Sequence, residues 1–322
     1  MKLSDDLTLA QVENLFDFFN EKVERARIER AVAISDDGLT VAVGCPCLSL
    51  GLHRRGYVLV YSYDTDEKDW FQAGNRVVGS QVSSLFGFSI ALAKRNGVLL
   101  LAIGAPGTDT ATGYDTGQVV TYVHDTDSDE WIKFAQSLDG ILPNNLCGYA
   151  VDVSLNGERL AYGCPGASSA TENFDFVGRV EIADWKATRG AWMSLRVRLE
   201  DSGRYYQAGR AVSLSGDGHR VAFSGAVPTR KEKSVSGIFV YEEQKRETLL
   251  YGEPRRDWVP YGSFIPHHGT FLDRVAVATS RGGNIVAIGV AGSASKGHAT
   301  TYKAIHKGSN YSYYFPDWKY HY

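Results

Sequence analysis

Five copies of one sequence pattern, spaced about 60 residues apart, predict an all-β fold: a five-bladed β-propeller of four-stranded antiparallel blades. The first marker is a glycine in a short polar turn, found at Gly38, Gly97, Gly157, Gly218 and Gly283. A second glycine ends the following apolar run, as in "VAVGCP" and "LAIGAP", and a third opens the next run. Tryptophan recurs with the same period, at Trp70, Trp131 and Trp192. Radial repetition of such units is typical of a propeller.

Each copy divides into four strands. The second copy has "FGFSIALA", a turn at "KRNG", "VLLLAIGAP", a longer loop, "QVVTYVHD", a turn at "TDSD" and "EWIKFAQSLDG". A continuously apolar second strand indicates burial on both faces, and glycine supplies the positive φ of a tight hairpin. We therefore place the propeller at residues 28–322, with blades at about 28–80, 81–140, 141–201, 202–256 and 257–322.

The two termini receive separate predictions. Residues 1–27 precede the repeats and are predicted to be a helical extension, because Thr8 and Gln11 form a capping box. The apolar stripe of that helix is Leu9, Val12, Phe16, Phe19 and Val23. The helix either packs on the propeller and covers one end or binds a partner. At the other terminus "YSYYFPDWKYHY" is expected to supply the last outer strand, so that no N-terminal strand is needed for closure.

Composition restricts the class of protein. The chain has 322 residues, 43% of them hydrophobic, and a formal net charge of −3, which is atypical of a nucleic-acid-binding protein. We find no secretory signal and no apolar run of 18 residues that would span a membrane. The four cysteines, Cys45, Cys47, Cys147 and Cys164, are interpreted as buried thiols rather than a disulfide framework. That interpretation favours an intracellular location.

One family resemblance rests on the second copy. Phe86 and Gly87 of "FGFSIAL", followed by "AIGAP" and "GQVVTY", resemble the FG-GAP repeat of integrin α-subunit propellers. The resemblance extends over about residues 28–322, with the other copies more divergent. It implies a propeller, and it implies little about activity.

Calcium is the ligand to consider first, because the family resemblance implies Asp-rich first turns. The first turns here lack the alternating oxygen ligands of such a site. The weak candidates lie instead in the third-to-fourth hairpin, at Asp125, Asp127 and Asp129, where exposed hairpin tips are the alternative interpretation. We therefore predict neither a metal nor a cofactor.

Catalysis is not predicted either, because no nucleophile elbow, P-loop or paired-cysteine motif is present. Three carboxylates lie on or near innermost strands: Glu29, Asp152 and Asp273. They leave open an alternative, a carbohydrate-binding or glycoside-hydrolysing propeller that acts at its central channel.

The function predicted from these observations is a non-catalytic interaction module or a structural subunit of an assembly. The second-to-third loops vary in length and charge, and variable loops on a rigid frame are where recognition usually occurs. With an adjoining fourth-to-first loop, they supply the predicted partner-binding residues Arg54, Arg55, Tyr114, Phe174, Phe176, Arg230, Lys231, Lys233, Arg255 and Arg256. The recurring tryptophans are expected to pack between blades, and the small residues after each second strand to let the five backbones converge near the axis.

Overall fold

The computed structural model describes residues 31–46, 55–168, 177–195, 207–228, 234–246, 255–267, 274–291, 298–305 and 317–321. Within these ranges no helix is long and apolar enough to cross a bilayer. The helical extension predicted at residues 1–27 lies outside the described residues and stays a prediction.

The strands form five antiparallel sheets, one for each blade. Blade 1 contains β1 (Val32–Ile34), β2 (Thr40–Cys45), β3 (Tyr57–Asp64), β4 (Asp69–Gln72) and β5 (Val77–Val78). Blade 2 contains β6 (Ser89–Arg95), β7 (Val98–Ala105), β8 (Gln118–Asp125), β9 (Glu130–Lys133) and β10 (Leu138–Asp139). Blade 3 contains β11 (Ala150–Val153), β12 (Arg159–Cys164), β13 (Arg179–Lys186) and β14 (Ala191–Ser194). Blade 4 contains β15 (Val212–Leu214), β16 (Arg220–Pro228), β17 (Ser234–Arg246), β18 (Arg255–Pro260) and β19 (Ile265–Pro266). Blade 5 contains β20 (Arg274–Thr279), β21 (Ile285–Ala291), β22 (His298–Ile305) and β23 (Asp317–His321).

The five-bladed propeller predicted from the repeats is confirmed. Consecutive strands pair antiparallel in each blade, and the innermost strands β1, β6, β11, β15 and β20 succeed one another around the ring. Strand β23 completes blade 5 from the C-terminal segment, as predicted. The outer strand differs from the prediction in blades 1, 2 and 4, where a short second piece, β5, β10 or β19, pairs with the third strand.

The first hairpin of every blade turns on the glycine that marked the repeat. All five glycines have φ between +64° and +82°, a region that costs other residues steric strain. Side chains reinforce the turn, since the Ser35 hydroxyl donates to Asp37 Oδ1 at 2.6 Å and Ser215 does the same to Asp217. The turn is therefore encoded locally, which explains why the period was readable in the sequence.

Glycines at the end of the second strands allow neighbouring blades to touch. A Cβ added to Gly44 would lie 2.1 Å from the carbonyl oxygen of Gly87, and one on Gly104 would lie 2.0 Å from that of Gly148. Each of these contacts joins one blade to the start of the first strand in the next. These glycines thus serve backbone packing between neighbouring blades, whereas the prediction was convergence of the five backbones near the axis.

Two of the three recurring tryptophans, Trp131 and Trp192, lie between blades as predicted, whereas Trp70 packs with residues of its own blade. Trp131 of blade 2 is buried against blade 1, where its Nε1 donates to the carbonyl oxygen of Ala73 at 2.9 Å. Gly74 leaves room for the indole, since a Cβ there would lie 2.8 Å from the ring. Trp192 is equally buried and donates to the Thr121 hydroxyl of the preceding blade at 3.0 Å. The break between β4 and β5 therefore accommodates an inserted indole.

The interpretation of the cysteines as free thiols is wrong for one pair. Cys147 and Cys164 form a disulfide within blade 3. The pairing follows from the sheet, because the amide of Gly148 donates to the carbonyl oxygen of Gly163 and so places the preceding and following cysteines side by side. Cys45 is buried and takes no part in the disulfide, as predicted, and Cys47 lies outside the described residues. Because disulfides persist in oxidising compartments, the reason for favouring an intracellular location is lost.

The boundary between blades 4 and 5 also needs correction. Residue 256 was predicted to end blade 4, but it lies inside β18, and the sheet of blade 4 continues to Pro266. Strand β17 is 13 residues long, longer than its counterparts, so its hairpin extends beyond the repeat length. Because of these extra residues, the repeat length predicted an end for blade 4 that comes too early in the chain.

Candidate functional site

Three neighbouring connections on one face of the ring form a continuous surface, which we call the loop platform: residues 79–88, 106–117 and 140–149. The Gln81 side chain exchanges two hydrogen bonds with the backbone of Asp109, at 2.7 and 2.9 Å. The Thr112 hydroxyl donates to the carbonyl oxygen of Gly140 at 3.1 Å. Because each connection is bonded to the next, the platform is ordered without a ligand.

The loop platform presents large apolar side chains to solvent. Between 51% and 61% of the surface of each of four residues is exposed: Val82, Tyr114, Ile141 and Leu142. Single exposed apolar residues are ordinary, but several on one bonded surface are typical of an interaction site. The platform can therefore bury apolar area against another molecule.

All three platform connections hold non-glycine residues in the left-handed region, and Asp115 of the middle connection has a φ of +48°. Ser83 and Leu85 have φ of +63° and +57°, and Asn144 and Leu146 have φ of +59° and +54°. A leucine in this conformation is unusual and costs about 1–3 kcal/mol. The backbone hydrogen bonds around the connections hold them in this shape.

Two of the predicted partner-binding residues fall on this face. Tyr114 is a platform residue, and Arg55 is an exposed residue whose carbonyl oxygen accepts a hydrogen bond from the hydroxyl of Ser84, in another platform connection. The remaining predictions from the variable loops lie outside the described residues: Arg54, Phe174, Phe176, Arg230, Lys231 and Lys233.

The prediction for Arg255 and Arg256 is wrong in its location. They do not lie in a fourth-to-first loop but open β18, where they pair with Arg246 and Lys245 of β17. The start of a fourth strand lies at the face of the tight hairpins. These two residues are therefore on the face opposite the loop platform.

The second candidate site is a cavity at the opposite mouth of the central channel. It has a volume of about 510 Å³ and receives residues from all five first hairpins: Asp36, Asp37, Ala93, Lys94, Leu155, Asn156, Gly216, Asp217 and Arg281. We call this the channel-mouth cavity. Three carboxylates, one amide and two cations surround it, a set that suits a small polar ligand with several hydroxyl groups.

Most of the polar groups of the channel-mouth cavity already have partners. Burial raises the pKa of Asp37, but hydrogen bonds from Lys94, Ser35 and the Leu39 amide outweigh it and leave the pKa below its usual value. The side chains of Asp36 and Arg281 make a looser contact, because 4.0 Å separates Oδ2 of Asp36 from Nη1 of Arg281. These two side chains are therefore the better candidates for contact with a ligand.

Asp152, named as a possible channel carboxylate, joins two blades instead. Its Oδ2 accepts from the amide of Leu214 on β15 at 2.6 Å, and its Oδ1 from that of Val153 at 2.8 Å. Burial raises its pKa to about 6 against the effect of these bonds. Glu29 and Asp273 lie outside the described residues. Of the three predicted channel carboxylates, the structure therefore describes only Asp152.

The weak calcium candidates lie in a hairpin whose carboxylates accept hydrogen bonds from the protein itself. Asp125 accepts from the Ser128 hydroxyl at 2.7 Å and from the Asp127 amide at 3.3 Å. Asp129 Oδ1 accepts from the amide of Gly74, in the neighbouring blade, at 2.9 Å. Among the residues that the structure describes, no three His, Cys, Asp or Glu side chains are grouped as metal ligands.

The sequence interpretation missed three platform residues: Val82, Ile141 and Leu142. The signal was present, because "SQVSSLFG" and "GILPNNLCG" each place bulky apolar residues inside a polar connection before the first strand. Periodicity gave no indication that these side chains point to solvent.

Comparison with known proteins shows similarity of fold only. No protein-family model and no curated protein matches the chain. Among solved structures, the SapL1 lectin in complex with alpha methyl fucoside is 12% identical, with a TM-score of 0.50 and coverage of 92% of this chain and 80% of that one. A periplasmic gluconolactonase of Pseudomonas aeruginosa is 13% identical, with a TM-score of 0.47 and coverage of 86% and 68%. An alpha-L-arabinofuranosidase from Lactobacillus brevis is 11% identical, with a TM-score of 0.46 and coverage of 88% and 92%. At 12% identity and a TM-score of 0.50, the match to the SapL1 lectin shows similarity of fold and nothing about activity.

Proposed function

We propose that the protein is a non-catalytic interaction module that binds a protein partner through the loop platform. The observation that carries the proposal is the exposure of four large apolar side chains on a surface whose loops are hydrogen-bonded to one another. Burying such side chains is the main source of free energy in protein association.

The order of the platform strengthens this proposal. Loops that must be immobilised on binding cost roughly 0.5–1.5 kcal/mol for each ordered side chain, and the reciprocal bonds of Gln81 and Asp109 reduce that cost in advance. An exposed tyrosine on the middle connection, Tyr114, matches the enrichment of aromatic residues in interfaces. Arg55 at the edge adds a charged rim group.

The test is a platform double variant, Tyr114→Ala with Leu142→Asp. It should weaken binding by roughly 30-fold or more, because a buried aromatic anchor typically contributes about 2 kcal/mol. Immobilised wild-type and variant proteins are compared by affinity capture and mass spectrometry, and the captured partner is then titrated by calorimetry.

The matched control is Ile132→Ala with Val98→Asp, at positions that are 47% and 40% exposed and lie away from the platform. Both double variants should keep the melting temperature of the wild type within a few degrees, since exposed substitutions usually change stability by about 0.5 kcal/mol or less. Equal capture by the platform variant and the wild type would contradict the proposal.

A second candidate function is supported by the channel-mouth cavity, whose polar lining suits a sugar. We propose monosaccharide binding there as the alternative, with Asp36 and Arg281 as the ligand contacts. Calorimetric titration of a monosaccharide panel should then give binding that Asp36→Asn and Arg281→Gln abolish. Absence of binding to the wild type would remove this candidate.

The resemblance to FG-GAP repeats is kept as part of the proposal. It is supported by the packing of the motif glycines, because Gly87 receives Gly44 of the preceding blade and Gly148 receives Gly104. Phe86 is buried in the core between blades 1 and 2. The motif thus has a structural role that a divergent member would retain.

A further inference from the structure

The same tight turn leads into the first strands of blades 2, 3 and 4. Its first residue is left-handed, with φ between +52° and +57°, in all three blades: Leu85, Leu146 and Gln207. Two positions later a glycine has φ between +83° and +90° and donates its amide to the second strand of the same blade: Gly87, Gly148 and Gly209. The backbone of the turn is therefore the same in the three blades.

Blade 4 differs from the other two in the side chains of this turn. Blades 2 and 3 have leucine at the first position and an aromatic residue at the fourth, Phe88 or Tyr149. Blade 4 has Gln207 and Arg210 at the same two positions. Because the fold accepts an apolar pair at this turn twice, the propeller does not require the polar pair of blade 4. Such a local departure from the pattern of a fold is expected at a functional site.

The fourth residues of the three turns stack on one another at the platform-side mouth of the central channel. They lie one or two residues before the innermost strands β6, β11 and β15, which places them at that end of the channel. The ring centroids of Phe88 and Tyr149 are 4.7 Å apart, and the Arg210 guanidinium lies 5.3 Å from the centroid of the Tyr149 ring. All three side chains belong to partly exposed residues. We call Phe88, Tyr149 and Arg210 the mouth stack.

Neutral groups hold the Arg210 guanidinium in place. Its Nη2 donates to the Tyr149 hydroxyl at 3.0 Å, and its Nη1 donates to Oε1 of Gln207. The arginines at two other blade junctions, Arg159 and Arg220, are paired with carboxylates instead. Within the described ranges no carboxylate forms an ion pair with Arg210. A fixed guanidinium with N–H groups left over is suited to an external carboxylate, which it can bind through two parallel hydrogen bonds.

We propose that the mouth stack binds an acidic side chain of the protein partner, with Arg210 as the residue that contacts the carboxylate. The proposal rests on the proposed role of the loop platform, because Phe88 and Tyr149 are the last residues of two platform connections. The exposed apolar residues of the platform supply the binding free energy. The carboxylate at Arg210 selects the partner and fixes its orientation, which is the usual contribution of charged groups to an interface.

The mouth stack favours a carboxylate over a cation or a neutral sugar. The charge of Arg210 repels a cation. The guanidinium lies over the Tyr149 ring, so that face of the ring is not free to stack against a sugar. The hydrogen bonds to Tyr149 and Gln207 orient the guanidinium before a ligand arrives, which reduces the conformational entropy lost on binding.

The experiment is an NMR titration of the full chain with N-acetyl-glutamate α-amide, which carries one carboxylate, followed by the backbone amide signals of Tyr149 and Gly209. N-acetyl-glutamine amide is the neutral compound of the same shape. The glutamate compound should give a saturable shift at a concentration about fivefold or more below that of the glutamine compound, because hydrogen bonds between charged groups are the stronger ones. This comparison of two ligands on the wild type needs no variant.

The matching variant is Gln207→Leu/Arg210→Phe, which gives blade 4 the residues that blade 2 has at these positions. It should keep the melting temperature of the wild type within a few degrees and lose the preference for the glutamate compound. The control is Arg76→Met, which removes another arginine stacked on a tyrosine, 4.6 Å from the Tyr57 ring, and should leave the titration unchanged.

Equal binding of the glutamate and glutamine compounds to the wild type would overturn the proposal, as would an unchanged preference in Gln207→Leu/Arg210→Phe. Tighter binding of inorganic phosphate than of the glutamate compound would overturn it in favour of a phosphate ligand. The loop platform is tested separately by partner capture with Tyr114→Ala/Leu142→Asp. Loss of capture by that variant, together with no carboxylate binding at the mouth stack, would overturn this inference alone and leave the proposed function standing.

Discussion

Replacement of Arg159 by methionine should destabilise the propeller more than any other single loss of charge between described blades. The Arg159 guanidinium lies at the junction of blades 3 and 4 and is 7% exposed. It donates to both carboxylate oxygens of Asp184, at 2.6 and 3.2 Å, and to both of Glu243, at 2.9 and 3.1 Å. It also donates to the carbonyl oxygen of Gly218, in the first hairpin of blade 4, at 2.9 Å.

The loss of unfolding free energy follows from the two carboxylates that Arg159→Met leaves without their guanidinium partner. Asp184 and Glu243 are 10% and 2% exposed, so two carboxylates lose their main counter-charge inside the protein. Breaking a buried ion pair from one side costs about 3–5 kcal/mol. Lys186, 3.6 Å from Asp184, and His219, 2.7 Å from Glu243, compensate in part, which favours the lower end of that range.

Urea denaturation measures the difference directly. Arg159→Met should lower the midpoint without changing the slope of free energy against denaturant. Adding Asp184→Asn and Glu243→Gln should recover most of the loss, because neutral groups no longer require a counter-charge. Arg220→Met, at the junction of blades 4 and 5, is the comparison: it loses a pair with Glu242 whose side chains are 21% and 26% exposed and should cost only about 1 kcal/mol. A loss below about 1 kcal/mol for Arg159→Met, or no recovery in the triple variant, would refute the reasoning.

Two further predictions concern the junctions between blades. Trp131→Ala should cost about 3–5 kcal/mol, since it empties the site beside Ala73, and calorimetry should show a lower melting temperature with no loss of partner capture. Asp152 has a pKa raised by burial from 3.8 to about 6, so its contribution to stability is full below pH 3.8 and lost as the pH rises through 6. Asp152→Asn should therefore flatten the dependence of unfolding free energy on pH between about 4 and 6. An unchanged slope of unfolding free energy against pH in the variant would contradict the raised pKa of Asp152.

The fold was predictable because its determinants are local. A glycine such as Gly97 fixes a hairpin through its own backbone, and alternation of side chains fixes the face of each strand. Those features repeat five times in the sequence, so one copy confirms another. The number of blades and the last strand needed no information from distant contacts.

The errors arose where the outcome depended on contacts between distant residues. Cys147 replaces the phenylalanine of the motif, and only the register of β11 with β12 shows that it meets Cys164. Arg255 appeared to be in a loop because the hairpin of β17 and β18 is longer than the repeat. Exposure of Val82 and Leu142 depends on how three connections pack together, which no single repeat encodes.

The loop platform and the channel-mouth cavity lie on opposite faces of the ring, and this makes the two candidate functions separable. The loop platform lies on blades 1 to 3, whose junctions are set by close contacts between glycine backbones such as Gly104 and Gly148. Those contacts leave no space for a blade to shift, so the platform should keep its shape whether or not the channel-mouth cavity is filled. Asp36→Asn and Arg281→Gln should therefore abolish monosaccharide binding and leave partner capture at the platform unchanged.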